Sequence, residues 1–407
     1  MTTATKTFEY SVRDRRGKLV GGKLEAPSEA ALVQKMVGMG FAPISVREAN
    51  KGMSREITLP GGNRVKLKDL AVMSRQFATM INSGLSLIRA LSILAEQTEN
   101  KALGRTLGEV RTAVEAGQSL SSAFAKHPKV FPPLVVNMVR AGEVGGFLDK
   151  VLLQIAANFE AEVKLRGKIK SAMTYPVVVF VMAVLAVIGM LLFIVPIFAN
   201  MFADLGGKLP VPTQILVNLS DGLRLFAPVL LVVLIAASVV WGRVRNQERV
   251  RRVVDPLKLR MPVFGPLFQK VAISRFSRNL GTMMSSGVPI LQSLEIVGDT
   301  AGNVVLRDAA VAVQESVRRG ESLAGPLSQH SVFPPMVVQM LAVGEDTGAI
   351  DTMLMKVSDF YDAEVEATTE ALTSLIEPLM IAVLGTVIGG MIIALYMPIF
   401  NVFDLIK

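Results

Sequence analysis

Hydrophobic positions along this chain fall into two kinds of run. Three windows carry no charged residue: 177–198, of 22 residues, 225–242, of 18, and 378–403, of 26. As helix, 22 residues rise about 33 Å, against a membrane hydrocarbon core of about 30 Å. All three windows are expected to span a membrane. The second is short, with Arg224 and Arg243 placed to snorkel at its ends, and the third can tilt or turn near Pro398. Elsewhere apolar residues recur at helical spacing, as at Leu87, Ile88, Leu91 and Leu94, between clusters of glycine, proline and serine.

The pattern is written twice. Phe131, Pro132, Pro133, Val135, Val136, Met138, Gly142, Glu143, Gly146 and Asp149 return 202 residues later as Phe333, Pro334, Pro335, Val337, Val338, Met340, Gly344, Glu345, Gly348 and Asp351. Upstream, Ser74, Arg75, Thr79 and Met80 match Ser277, Arg278, Thr282 and Met283; downstream, Pro196, Ile197 and Phe198 match Pro398, Ile399 and Phe400. Each unit reads as six helices, the last continuing into a span. The fold class is therefore an all-α integral membrane protein, with two repeated six-helix bundles and three transmembrane helices. The bundles are expected at 67–172 and 270–376, the spans at 175–198, 225–242 and 378–403, a loop at 199–224 and a connector at 243–269. The unpaired middle span returns the chain, so that both bundles face one compartment. Residues 1–50 differ: FEYSVRDRRGKLVGGKLEA predicts two strands, followed by a helix from about Ser28 to Met39 and a strand over 42–47, a small α+β module on a linker at 51–66.

Charge sets the direction. The chain carries a net +9, with 51% apolar residues and a mean hydropathy of +0.47. Lys164, Arg166, Lys168 and Lys170 crowd the first span, and Arg243, Arg245, Arg249, Arg251 and Arg252 follow the second, whereas the loop between holds only Lys208 and Arg224. The positive-inside rule puts both clusters and both bundles in the cytoplasm, and the loop and C-terminus outside. MTTATKTFEY has no apolar signal-peptide core, so the N-terminus is expected in the cytosol. The basic residues then serve topology and lipid headgroups, and nucleic acid is not called for.

Candidate chemistry is sparse. The chain has no cysteine and two histidines, His127 and His330, too few for a zinc site. Gly17, Gly22 and Lys23 match a phosphate loop until Leu24, which lacks the hydroxyl that magnesium needs. No enzyme, cofactor or metal is expected. The AGEVGG and VGEDTG turns place Gly142, Glu143 and Gly146, with Gly344, Glu345 and Gly348, where the fifth helix ends and the sixth starts. The two acids could be catalytic carboxylates, a metal site or helix caps, and capping of the helix that follows is the favoured reading. Glu377 and Pro378 replace Tyr175 and Pro176 at the start of the third span; the acid is either a headgroup-level carboxylate near a helix start or a negative partner at the cytoplasmic boundary. Gly385 and Gly389 form a GxxxG face for close helix approach. A transporter built from repeats is the competing class, but the windows hold no ionisable residue to line a path.

The opening FEYSVRDRRGKLVGGKLEAPSEAALVQKM, VKLKDLAVMSRQFATMINSGLSLIRAL, both FPP to GE segments, MPVFGPLF and the closing SLIEPLMIAVLGTVIGGMIIALYMPIF resemble the secretion system F family. The resemblance spans essentially the whole chain. It implies a non-enzymatic platform of type IV pilus assembly or type II secretion in the cytoplasmic (inner) membrane, forming dimers or higher homo-oligomers. It further implies docking to a cytoplasmic hexameric ATPase, to pilin or pseudopilin subunits and to other inner-membrane components of the machine.

Overall fold

The computed structural model describes residues 6–13, 19–26, 28–38, 41–48, 64–204, 209–245 and 247–405. The chain divides into two compact units, Met1–Arg64 and Val65–Lys407. In the first, strands β1 (Lys6–Arg13), β2 (Leu19–Ala26) and β3 (Ala42–Glu48) form an antiparallel sheet in the order β2-β1-β3, and helix α1 (Glu29–Gly38) buries Leu32 and Met36. Gly22 and Lys23 lie within β2, paired with Tyr10 and Glu9. A phosphate cradle needs a strand-to-helix turn there, and Gly17 lies outside the described residues, as does most of the expected linker.

Among its described residues, the regular structure of the second unit is all helix. Its first repeat comprises α2 (Leu67–Asn82), α3 (Leu87–Gln97), α4 (Lys101–Glu115), α5 (Leu120–Ala125), α6 (Pro133–Gly145) and α7 (Leu148–Gly189). A π-helical turn, Met190–Ile194, leads into α8 (Val195–Asp204); α9 (Val211–Val244) and α10 (Glu248–Arg260) follow. The second repeat comprises α11 (Gly265–Ser285), α12 (Ile290–Thr300), α13 (Val304–Arg318), α14 (Ala324–Ser328), α15 (Pro335–Thr347) and α16 (Ile350–Leu405).

Local chemistry sets these boundaries in both copies. Asn100 and Asn303 accept amide hydrogens at the starts of α4 and α13, as N-caps do. Pro133 and Pro335 open α6 and α15, where the missing amide would have had no partner. Gly146 and Gly348 end those helices at φ of 73° and 69°, a left-handed turn that glycine adopts without strain. Between the helices lies one contiguous apolar core through both repeats. Phe124 stacks on Phe131 in the first, and Phe276 meets Phe333 edge-on in the second.

Three helical stretches, Leu148–Phe202, Val211–Val244 and Ile350–Pro398, are long and apolar enough to cross a membrane. Three expectations need correction. The 199–224 segment is largely helix, because Pro210 and Pro212 flank the start of α9 and its polar first turns escape a hydropathy window. The 243–269 connector contains α10 and the start of α11. Finally, α16 runs unbroken through Pro378 and Pro398, so no exit turn forms at Pro398 and Glu377 stands far from a helix start. With no free amides around it, the helix dipole cannot be what stabilises that carboxylate.

Candidate coupling site at the repeat junction

The two GE turns do one job in each copy, and it differs from the expected one. Glu143 stands in the last turn of α6, and its carboxylate accepts the Leu120 and Ser121 amides at 2.5 and 3.0 Å. Glu345, near the end of α15, accepts the Leu323 amide at 3.0 Å. Each acid therefore reaches back to the short helix before its own, α5 or α14, instead of forward to the sixth. The first amides of any α-helix have no acceptor within the helix, and here a charged side chain supplies what is missing. One turn earlier than the C-cap, Gly142 and Gly344 let the sixth helix close in. A Cβ on Gly142 would lie 3.1 Å from the Leu148 Cα, and one on Gly344 3.0 Å from the Ile350 Cα.

Each sixth helix is tied to the first helix of its bundle by an equivalent ion pair. In the first copy, Arg75 donates to Glu160 through Nε and Nη2, at 2.7 and 2.5 Å. These hydrogen bonds hold the Glu160 carboxyl below its usual pKa and the Arg75 guanidinium above its own. In the second, Arg278 donates to Asp362, which also accepts the Ser274 hydroxyl at 2.5 Å. The environments diverge: the first pair is about two-fifths exposed, whereas the Arg278 side chain is 10% exposed.

The repeats meet along α7. Glu162 receives Arg166 from its own helix at 2.7 Å and Arg275 of α11 at 2.8 Å, and burial pulls the Arg275 guanidinium below its usual pKa while Glu162 opposes that shift. Asn158 donates to Asn279 at 3.2 Å, Gln292 donates to Asn137 at 2.8 Å, and Lys168 pairs with Glu366 of α16. Toward the spans, Leu165, Leu267, Val365 and Leu372 form a separate apolar cluster. Charge and shape thus join the two sixth helices at the point where both head for the membrane.

Prolines within those helices each remove a backbone hydrogen bond, and at three of them a side chain from another helix makes good the loss. Pro176, Pro196 and Pro398 each withhold an amide from the carbonyl four residues before. The Ala172 carbonyl takes a long 3.5 Å bond from Thr373, Leu192 takes the Arg224 guanidinium at 2.6 Å, and Ala394 takes Thr213 at 2.5 Å. An unmet carbonyl in an apolar medium is expensive, so these donors bind the spans to one another. Glu377 and Pro378 are exposed, and Glu377 makes no ion pair among the described residues. Gly385 and Gly389 face open space. Glu377 and the glycines are therefore not brought to the GE turns. The interrepeat contacts and the proline-carbonyl bonds were missed by sequence reasoning; a polar residue near a proline-broken span was the available signal for the latter.

Among the described residues, no three His, Asp or Glu side chains gather as metal ligands, and His127 faces Glu109 at 3.7 Å. The chain matches the family model for type II secretion system protein F over residues 73–196 and again over 276–398, and the model for that protein's N-terminal domain over 3–47. It is 44% identical to the type IV pilus assembly protein PilC of Myxococcus xanthus, over 98% of this chain and 95% of that one. It is 45% identical to the PilC of Thermus thermophilus, over 97% and 98%. With the type II secretion system protein F of Vibrio cholerae the identity is 32%, over 98% and 99%. The double match falls on the two repeats whose ion pairs and capped turns coincide, and the chain belongs to the type II secretion system protein F family.

Proposed function

We propose that this chain is the non-enzymatic cytoplasmic-membrane platform of a type IV pilus or type II secretion machine, coupling a cytoplasmic hexameric ATPase to the assembly of pilin-like subunits. One observation carries the reading: in each repeat the sixth helix leaves its bundle and continues, without a loop, into an apolar span. At about 1.5 Å per residue the 56 residues of α16 reach roughly 84 Å. A displacement imposed on a bundle is thereby delivered to the bilayer, and the α7 to α16 contacts make the two levers move together. Retention of the ATPase by membranes containing the full chain, and its loss from membranes without it, is the expected result. Solute flux through the purified chain in vesicles, with no ATPase retained, would overturn the proposal in favour of transport.

Both bundles and the N-terminus lie in the cytoplasm in this reading, with the C-terminus outside. A reporter enzyme active only outside the cytoplasm should work when inserted near residue 206 or after Lys407. It should be silent near Asn50 and in the Ala301–Asn303 turn, between α12 and α13. Activity at that turn would sink the arrangement.

Glu377 is the residue we assign to the incoming subunit. Its carboxylate is exposed at the start of the third apolar window, while the equivalent position in the other repeat is Tyr175. A cationic group on an arriving pilin-like subunit would find an acid there with no competing ion pair among the described residues. Glu377→Gln should leave membrane insertion and ATPase retention near wild type while filament assembly or secretion falls. Wild-type assembly at equal protein level would leave Glu377 as a solvated side chain only.

A further inference from the structure

Helix α10 is packed inside out. Its apolar residues Val250, Val253, Val254 and Leu257 fall at i, i+3, i+4 and i+7, the stripe by which an amphipathic helix ordinarily faces a core. Here the opposite side faces the protein. Asp255 is 3% exposed and accepts the Val304 amide of α13 at 3.2 Å, with Lys258 at 3.2 Å and Arg251 at 3.5 Å, and Leu259 packs on the core. Val253 and Leu257, on the outward side, are 68% and 62% exposed. One turn beyond Leu257 the apolar surface continues in Met261 and Val263, both exposed. Val263 adopts a φ of 74°, a left-handed backbone that a β-branched residue takes only where its surroundings enforce it.

We infer that α10 lies on the bilayer surface and binds anionic phospholipid, with its valines and Leu257 at the boundary between headgroups and acyl chains and its arginines on the lipid phosphates. Three observations choose this occupant. First, both ends of α10 are held near the membrane. The charge-free window of α9 ends at Gly242 and the helix at Val244, and the four Cα steps from there to Glu248 cover at most about 14 Å. At the other end, Phe264 and Leu267 join the cluster of Leu165, Val365 and Leu372, and Leu372 stands six residues, about 9 Å of helix, before the third charge-free window.

Second, the charge has the right sign in the right place. Residues 243–260 hold seven basic side chains against two acids. Both acids are engaged toward the protein, Asp255 as above and Glu248 by Arg252 and by Arg307 of α13 at 3.0 Å. Arg249 and Arg260 are exposed one and two turns from Val253 on the same side, and neither makes an ion pair among the described residues. An outward apolar stripe edged by free arginines is what a helix lying in an anionic interface requires. Third, the shared bundle fold does not call for the stripe: KGMSREITLPGGN, which precedes the first bundle as α10 precedes the second, lacks that spacing. Through Asp255 and Glu248, which grip α13, the contact ties the second bundle to the leaflet. The inference goes beyond the proposed function and needs only that α9 crosses the bilayer.

The chain has no cysteine, so a single introduced one can carry an environment-sensitive fluorophore. The full chain labelled at Val253→Cys or Leu257→Cys is placed in lipid nanodiscs of zwitterionic lipid with roughly one-third phosphatidylglycerol. Both labels should be quenched by nitroxide-bearing lipid and protected about fivefold from aqueous iodide. Arg318→Cys, at the other end of α13 from the Val304 contact, should show the reverse. Arg249→Gln and Arg260→Gln in the Val253→Cys chain should each lower the ratio of protected to open helix roughly fivefold, and omitting the anionic lipid should expose the label. Iodide access at Val253→Cys equal to that at Arg318→Cys would sink the inference. Protection undiminished in purely zwitterionic discs would sink it too, and its confinement to discs holding several chains would identify a protein surface as the cover.

Discussion

Asp362→Ala is expected to destabilise the second bundle by about 3 kcal/mol, while Glu160→Ala, the same truncation at the equivalent place in the first, costs about 0.2–1 kcal/mol. The two acids hold equivalent arginines on equivalent helices, so chemistry alone predicts equal effects. Burial decides otherwise. Arg75 and Glu160 are 42% and 44% exposed, so water and salt already screen them and rehydrate whichever is left. Arg278 is 10% exposed and shares a small cavity with Gln154, Ala157 and Asn158 of α7. Without Asp362 its charge stays buried and the Ser274 hydroxyl loses its acceptor. The check is guanidinium unfolding followed by helical circular dichroism, on full chain in detergent diluted below self-association. Asp362→Asn, which keeps the shape and one acceptor, should fall between. Equal losses for Asp362→Ala and Glu160→Ala would show that the junction does not seal the second pair.

That difference between copies also marks how far the sequence could be read. The duplication was legible because the residues that shape each bundle repeat almost unchanged: the FPP starts, the GE turns and the Gly146 and Gly348 stops act within some twenty residues of themselves. The spans were legible because a charge-free window is a local property. The junction was not, because its partners lie more than a hundred residues apart and differ between copies; Lys168 and Glu366 stand where the other repeat has Glu370 and Lys164. Amphipathic helix starts were missed for a related reason. Thr213, Ser220 and Arg224 look like loop residues, yet each donates to a carbonyl on another span helix, and that need is invisible until the helices are set side by side. The GE acids were placed correctly in the chain but assigned the wrong partner, since an amide 22 or 23 residues earlier is nearer in space than the helix that comes next.

Gly344→Val should be the most damaging single change in either turn, and Gly142→Val its counterpart. At Gly344 even a Cβ would stand 3.0 Å from the Ile350 Cα and from Met353 Cγ; at Gly142 it meets Val151 Cγ2 at 3.0 Å and the Leu148 Cα at 3.1 Å. The methionine tip can swing away, but a backbone Cα gives only if the sixth helix moves. Alanine is therefore expected to cost about 1–3 kcal/mol as overpacking, and valine, with two further methyls, more than that. Gly348 makes the internal comparison. Its φ of 69° strains any L side chain, but a Cβ there meets open space, so Gly348→Ala should cost about 1–2 kcal/mol with the helix positions unchanged. Loss of the cap alone, Glu345→Ala, sits at about 1–3 kcal/mol and loosens α14 without displacing α16. Hydrogen exchange separates the cases: Gly344→Val should expose amides along the start of α16, where Glu345→Ala exposes those at the start of α14. If Gly344→Val unfolds at the wild-type midpoint with α16 still protected, close approach at this turn is not what holds the lever to its bundle.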